Sequence, residues 1–417
     1  NAFKASNKDI DAGYCYGRAL KVKDRPAEDY ADVYNNLATL HINGGSQEEG
    51  LRLARKALEY QPNHADANWN LALLLLETGQ LGEGFDLYKY GFTTKIRLHR
   101  DYGMNLPTWN GKKKQRVIVW GEQGIGDEIL FASMLPELQK MSKEVIFDCH
   151  PRLMNLFKES FPDITIYGTR KDDYISWPHD HKNATAKIAI GDLAKFLRRD
   201  IESFPAENKY LKANPERVEY YKAKLAKLGN KRPKIGISWT GGYAKTRSDY
   251  RSIDLSLWEP ILTQNADFIS LQYTPDAYRA IAEIEDKLDV RVHHWPSAVG
   301  GQDCPDYAET AALVDSLDLI ITVNTATHHV AGALGKECWT LTPQSHAWRY
   351  WSKDEDGSTI PWYPTCKQFL QKELLNWTPV ISDVAMALEV RIKGYIEENL
   401  KAYGEYAKDV KGGRGKS

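Results

Sequence analysis

At 417 residues the chain is too long for one ordinary hydrophobic core, so two or three domains are expected. Lys and Arg number 55 against 56 Asp and Glu, a net charge of -1, which excludes the basic excess of a dedicated nucleic-acid binder. Five scattered cysteines with no C-x-x-C pair argue against a disulfide framework and a zinc site; they fit a reducing, cytoplasmic setting, and neither a membrane span nor a signal peptide is visible.

The chain opens on an internal repeat. Asn36 and Asn70, Leu37 and Leu71, Ala38 and Ala72, and Gly45 and Gly79 are each offset by 34 residues. That period, with two helices per unit, is the tetratricopeptide signature and predicts helical repeats over 1–97. Such repeats stack into a solenoid whose concave face holds a protein or peptide. With so few units they can equally brace the domain that follows.

Beyond Leu98 short β-rich runs alternate with helical stretches. Strands are expected at Arg116–Trp120, Glu144–Phe147, Ile164–Tyr167 and Lys187–Ile190. A long charged helical crossover is expected from about Leu193 to Leu228. A second set follows at Lys234–Trp239, Asp267–Gln272, Val290–His293, Asp318–Val323 and Glu337–Leu341. Buried strands alternating with helices mean parallel sheets. The expected class is therefore α + α/β: helical repeats, then a Rossmann-like domain over 98–215 and another over 216–375. C-terminal helices and a basic tail fill 376–417, and the stretch Val380–Lys401 packs back on the outside.

Three loops carry candidate chemistry. In WGEQGIGDEILF, from Trp120 to Phe131, the glycines are spaced G-x-x-G-x-G rather than as a dinucleotide fingerprint, and no Gly-Lys-Ser/Thr follows. Asp127 and Glu128 at a helix start would repel a phosphate. The turn built on Gly124 and Gly126 thus presents a carboxylate at the top of a sheet, or Asp127 simply caps the helix. In ISWTGGYAKTRSDYRSIDL, Gly241 and Gly242 follow Trp239 and open a loop with three cations, Lys245, Arg247 and Arg251, suited to a phosphate or merely solvated. In DLIITVNTATHHVAGALGKECWTL, Asn324 and Thr325 cap an acid-free helix rich in small residues, among them Ala326 and Gly332, with His329 one turn in. Its positive dipole end is a seat for a diphosphate. Together the last two loops predict a nucleotide diphosphate site in the second domain.

From about Leu106 to Trp351 the chain resembles the bacterial heptosyltransferase-type glycosyltransferases, and more distantly the protein O-GlcNAc transferases. The motifs are LPTWNG leading to VWGEQGIGDEILFASMLP, ISWTGG leading to RSI, and DYAETAALVDSLDLIITVNTATHHVAGALGKECWTLTP closing with WRYW. The resemblance implies a GT-B fold, an acceptor site in the first Rossmann-like domain and a nucleotide-sugar site in the second. It implies an inverting transfer to a hydroxyl, with a nucleotide-diphosphate sugar as co-substrate and neither metal nor other cofactor. Asp127 becomes the candidate general base, with Gly124, Gly126 and Glu128 on the acceptor-side loop. On the donor side stand Trp239, Gly241, Gly242, Lys245, Arg247, Arg251, Gln272, Tyr273, Asn324, Thr325, Ala326, His329 and Gly332. The chain departs from the family pattern at Asn324, where Asp is usual, at Tyr273, where a basic residue is common, and at Lys245, where His is common.

The expected partners are the nucleotide sugar, a glycan, protein or small-molecule acceptor, and a protein on the repeats. The repeats are expected to leave donor binding alone, being separated in sequence from the donor domain. Two other readings stand beside this one: a non-catalytic binding scaffold on a GT-B frame, and a glycosyltransferase of nucleic acid, which the near-neutral charge disfavours.

Overall fold

Two helical hairpins, Ala27–Asn43 with Gln47–Tyr60 and Ala65–Glu77 with Leu81–Leu87, follow a first helix at Ala2–Ala19. The computed structural model describes residues 2–413 apart from 45, 171–173, 230–231, 243–247 and 302–303. The repeat positions Ala38 and Ala72 are fully buried, where small side chains let helices approach. Asn70 Nδ2 donates to Asn35 Oδ1 (2.8 Å) and ties the two hairpins together. Gly79 turns with φ +77°, and a Cβ there would strike the ring of Trp351; its repeat partner Gly45 lies outside the described residues. The last helix of the second hairpin is short, because Gly82, Gly84 and Gly91 weaken it. At Gly91 the backbone passes so close to Trp69 and Arg97 that no side chain fits.

Ten strands in two wholly parallel sheets follow among the described residues. The first sheet has β1 (Arg116–Trp120), β2 (Glu144–Cys149), β3 (Thr165–Gly168) and β4 (Ala186–Ala189), in the order β3-β2-β1-β4. The second has β5 (Lys234–Ser238), β6 (Asp267–Ser270), β7 (Val292–His294), β8 (Leu319–Val323), β9 (Cys338–Thr342) and β10 (Cys366–Leu370), in the order β10-β9-β8-β5-β6-β7. Pairing sets Val117 beside Val145 and Gly236 beside Ile320. Every residue of β5, β8 and β9 is buried, as strands covered on both faces must be. The helix Thr378–Gly413 lays Val380, Val384 and Leu388 on the second domain's core. Two parallel sheets preceded by helical repeats make a GT-B arrangement with an N-terminal helical region. Among the described residues no helix is long and apolar enough to cross a membrane.

Two expectations need correction. The crossover is not one long helix: only Ala194–Leu197 and Pro215–Ala226 are α-helical, and the chain between them is largely extended apart from a single 3-10 turn. Pro205 breaks the first piece, and Asn214 caps the second by accepting from the Arg217 N–H (3.1 Å). Nor are the repeats set apart from the second domain. Phe85 and Tyr88 meet Trp348 at ring separations of 5.8 and 6.0 Å, while Tyr88 also meets Phe131 of the first domain at 6.3 Å. One apolar core thus runs through all three parts.

Candidate functional site

In each sheet the strand order reverses beside its first strand, between β1 and β4 and between β5 and β8. Loops at the carboxyl ends diverge there and leave a crevice for ligands. The glycine-rich turn follows β1; the other two candidate loops follow β5 and β8.

The turn after β1 is tied to three parts of the molecule by three acids. Glu122 is buried against Arg97, which donates from Nε to Oε2 (2.8 Å) and also pairs with Asp192 (2.7 Å). The Arg97 guanidinium lies over the rings of Tyr88 and Phe92, at 4.3 and 4.2 Å from their centroids. Asp127 accepts from the Gly124 N–H (3.0 Å), which closes a cap on the helix Ile125–Ala132, and forms an ion pair with Arg349 of the second domain. Glu128 has no exposed surface; it accepts from the His150 N–H (2.6 Å) and pairs with Arg170 (3.2 Å). Burial outweighs both partners and pushes the Glu128 carboxyl up to about 7. Burial also brings the His150 imidazole down to about 4. Gln123 holds φ +63° while donating to Tyr88 Oη (2.6 Å) and accepting from Arg349 (2.9 Å).

On the second sheet the loops after β5 and β8 touch. A Cβ on Gly241 would run into Thr325, so only glycine allows this approach. Arg251 Nε donates to the Gly241 carbonyl (3.0 Å), which sets the guanidinium at the loop's mouth. Thr325 caps the helix Ala326–Ala333 by accepting from the Thr327 N–H (3.2 Å). Asn324 is 2% exposed, and its Oδ1 has no hydrogen-bond partner among the described residues. Such an atom costs about 1–3 kcal/mol unless a ligand or water meets it.

A cleft of about 490 Å³ opens beside these loops. Arg251, Asn324, Ser345 and Tyr350 line one wall; Thr39, Asn70 and Glu77 of the repeats line the other. The repeats therefore border the second domain's site, contrary to the expectation from sequence order.

Several residues expected at the donor are turned to support instead. Gln272 is fully buried: its Oε1 accepts from the N–H groups of Trp239 and Thr240 (3.1 Å each), and its Nε2 donates to Thr240 Oγ1 (2.6 Å). Trp239 belongs to the core, and the Tyr273 hydroxyl holds the Gly242 N–H (3.1 Å) where φ is +82°. His329 is 4% exposed, with Nδ1 3.0 Å from Tyr363 Oη and Nε2 3.4 Å from Tyr350 Oη. Burial, with His328, Arg349 and Arg251 nearby, holds its pKa well below normal, so the ring is neutral. Its edge packs on Gly126, where a Cβ would stand 2.6 Å from Cδ2. His329 is thus a packing residue that joins the two glycine turns, and Gly332 makes room for Tyr363 in the same way. Ala326, half-buried, is the first residue of the helix. Lys245 and Arg247 lie outside the described residues.

Sequence reasoning passed over Arg349, Arg97 and Arg170. WRYW carried the only signal for Arg349, an arginine among aromatics. It also took the scattered cysteines as evidence against a metal-ligand cluster. The fold brings two of them, Cys338 and Cys366, together with His328.

No family model matches the chain. It is 29% identical over 381 residues to Protein FlbA of Caulobacter vibrioides, a match covering 87% of this chain and 62% of that protein. The chain thus spans about three-fifths of that relative's length. Among solved structures it is similar to E. coli ADP-heptose LPS heptosyltransferase II, with a TM-score of 0.47, 13% identity, and coverage of 67% of this chain and 99% of that one. It is also similar to the Thermobaculum terrenum O-GlcNAc transferase, with a TM-score of 0.32, 12% identity, and coverage of 94% and 90%. Both solved neighbours are glycosyltransferases; at these values the likeness concerns the outline of the fold.

Proposed function

We propose that the chain transfers a sugar from a nucleotide-diphosphate sugar to a hydroxyl acceptor, with inversion at the anomeric carbon. The observation that carries this reading is the meeting of two switch-point turns. On one side is an acid-free helix start, Asn324–Thr325, lined by Gly241 and Arg251. On the other is the turn that bears Asp127, joined to the second domain by Arg349.

The helix start and Arg251 would neutralise the diphosphate as it leaves with added negative charge. Asn324 Oδ1 offers a hydroxyl of the donor an acceptor in place of its missing partner. Although it is not the usual aspartate, the amide keeps that oxygen. Asp127 is the base: a positioned carboxylate that takes the acceptor's proton contributes roughly 10²–10⁴-fold. The acceptor approaches from the first domain, past the repeat residues that wall the cleft. We place the protein in the cytoplasm, where its free thiols would stay reduced.

Calorimetry with ADP, GDP and UDP, followed by single-turnover transfer from the matching nucleotide sugars, tests the reading. One diphosphate should bind, and Arg251→Ala should weaken it more than tenfold, about 1.4 kcal/mol. If none of the three binds, or if the variant keeps parental affinity, the site is misplaced.

A further inference from the structure

His328, Cys338 and Cys366 lie beneath the helix Ala326–Ala333, away from the cleft. All three are buried, and one ring nitrogen and the two Sγ atoms lie within 4.8 Å of one another. Cys338 and Cys366 are paired in register on β9 and β10, so their side chains leave the sheet on the same face. His328 descends onto them from the helix. Ligand atoms around a tetrahedral zinc ion stand about 3.5–3.8 Å apart, given bonds of about 2.3 Å to sulfur and 2.0 Å to nitrogen. The three donors are therefore gathered to within about an ångström of that geometry before any ion is present.

A second observation points the same way. His328 Nδ1 is 2.7 Å from Thr340 Oγ1, while Nε2 is buried with no hydrogen-bond partner among the described residues. A hydroxyl on one nitrogen and a bare lone pair on the other is the arrangement of a metal-ligating imidazole, whose outer hydrogen bond orients the ring. Thr340 Oγ1 also stands 3.8 Å from Cys338 Sγ, so one hydroxyl serves two of the three donors.

We propose that these three residues bind a thiophilic divalent cation, zinc before others, as a structural site. Two thiolates would balance the ion's charge, and a neutral imidazole would complete three of four positions. The ion would pin the helix Ala326–Ala333 to the two outermost strands on that side of the sheet. This is the helix whose first turn forms the proposed diphosphate seat, so the metal would fix that seat without touching the substrate. The proposal rests on the geometry of the three donors and holds whatever the chain transfers.

The test uses the full chain, purified without chelator after growth with added zinc. Elemental analysis should give about one zinc per chain. Cobalt exchanged into the same protein should show a thiolate-to-metal charge-transfer band and tetrahedral ligand-field bands. Cys338→Val and Cys366→Val should each lower bound metal at least tenfold, while Cys149→Val, outside the cluster, should keep it. A folded parent protein that holds no zinc, and shows no thiolate band when cobalt is added in excess, overturns the proposal. So does bound metal that survives both cluster substitutions. If the valine variants do not fold, the cobalt spectrum of the parent decides alone.

Discussion

Asp127 caps the helix Ile125–Ala132 and is ion-paired with Arg349, and either role alone would explain its presence. The two can be separated from base catalysis. Asn caps nearly as well as Asp, so Asp127→Asn keeps the cap and loses both the ion pair and the proton acceptor. Arg349→Met loses only the ion pair. We expect single-turnover transfer to fall about 10²-fold or more in Asp127→Asn and less than about tenfold in Arg349→Met. Equal losses would make Asp127 a clamp rather than a base. Its neighbour Glu128 gives a pH signature. The folded state holds this proton up to about 7, against an ordinary value of 4.5. Its stabilising contribution is full below 4.5 and is lost as pH rises through 7, at about 1.4 kcal/mol per unit. The melting temperature of Glu128→Gln should therefore fall less than the parent's between pH 4.5 and 7; parallel curves would refute the shift. The sequence displayed all three acids of this turn but not their partners. An ion pair closed by the fold leaves no periodicity in the chain, and Arg97, Arg170 and Arg349 stand in three separate modules.

At the scale of elements, the contact between the β5 loop and the β8 helix start is the one on which donor binding would turn. Gly241→Ala places a methyl group against Thr325 and must push the loop away. We expect nucleotide diphosphate affinity to drop at least tenfold with little change in melting temperature, since the loop borders the cleft rather than the core. Calorimetry that finds affinity unaltered would show that the two loops do not share a ligand. Much at this scale was legible in advance. Nine strands were readable because a strand buried on both faces must be an apolar, β-rich run. β10 escaped notice because CKQFL is short and carries Lys367 and Gln368, as the outermost strand of a sheet can. The crossover was read as one helix from its charge and spacing, although Pro205 and the Asn214–Pro215 pair mark where it stops.

Across the whole molecule, the helical repeats are part of the body rather than an appendage. Phe85 is 2% exposed and contributes to the core shared by the repeats, the first domain and Trp348 of the second. Phe85→Ala should cost about 3–5 kcal/mol. It should lower the single thermal transition of the full chain rather than release the repeats in a separate step. A calorimetric trace with an early repeat transition and an unmoved main peak would disprove the shared core. Sequence order suggested independence because the repeats and the second domain are far apart along the chain. The aromatic cluster that joins them is formed only when β9 and the WRYW segment are brought back beside Phe85 and Tyr88.

The three acids of the turn after β1, each answered by an arginine in a different module, have a consequence for how such a protein can be recombined. A single crossover between two parent genes at any point from residue 97 to 349, unless it falls within the turn itself, parts at least one acid from its arginine. Where the parents differ at those positions, the hybrid inherits a charge with no counterpart; at Arg97 and Glu122 that charge is fully buried and costs about 3–5 kcal/mol. Viable hybrids should therefore be those in which the turn and its three arginines descend from one parent, and a block exchange that ignores this linkage should fail at folding before its chemistry can be assayed.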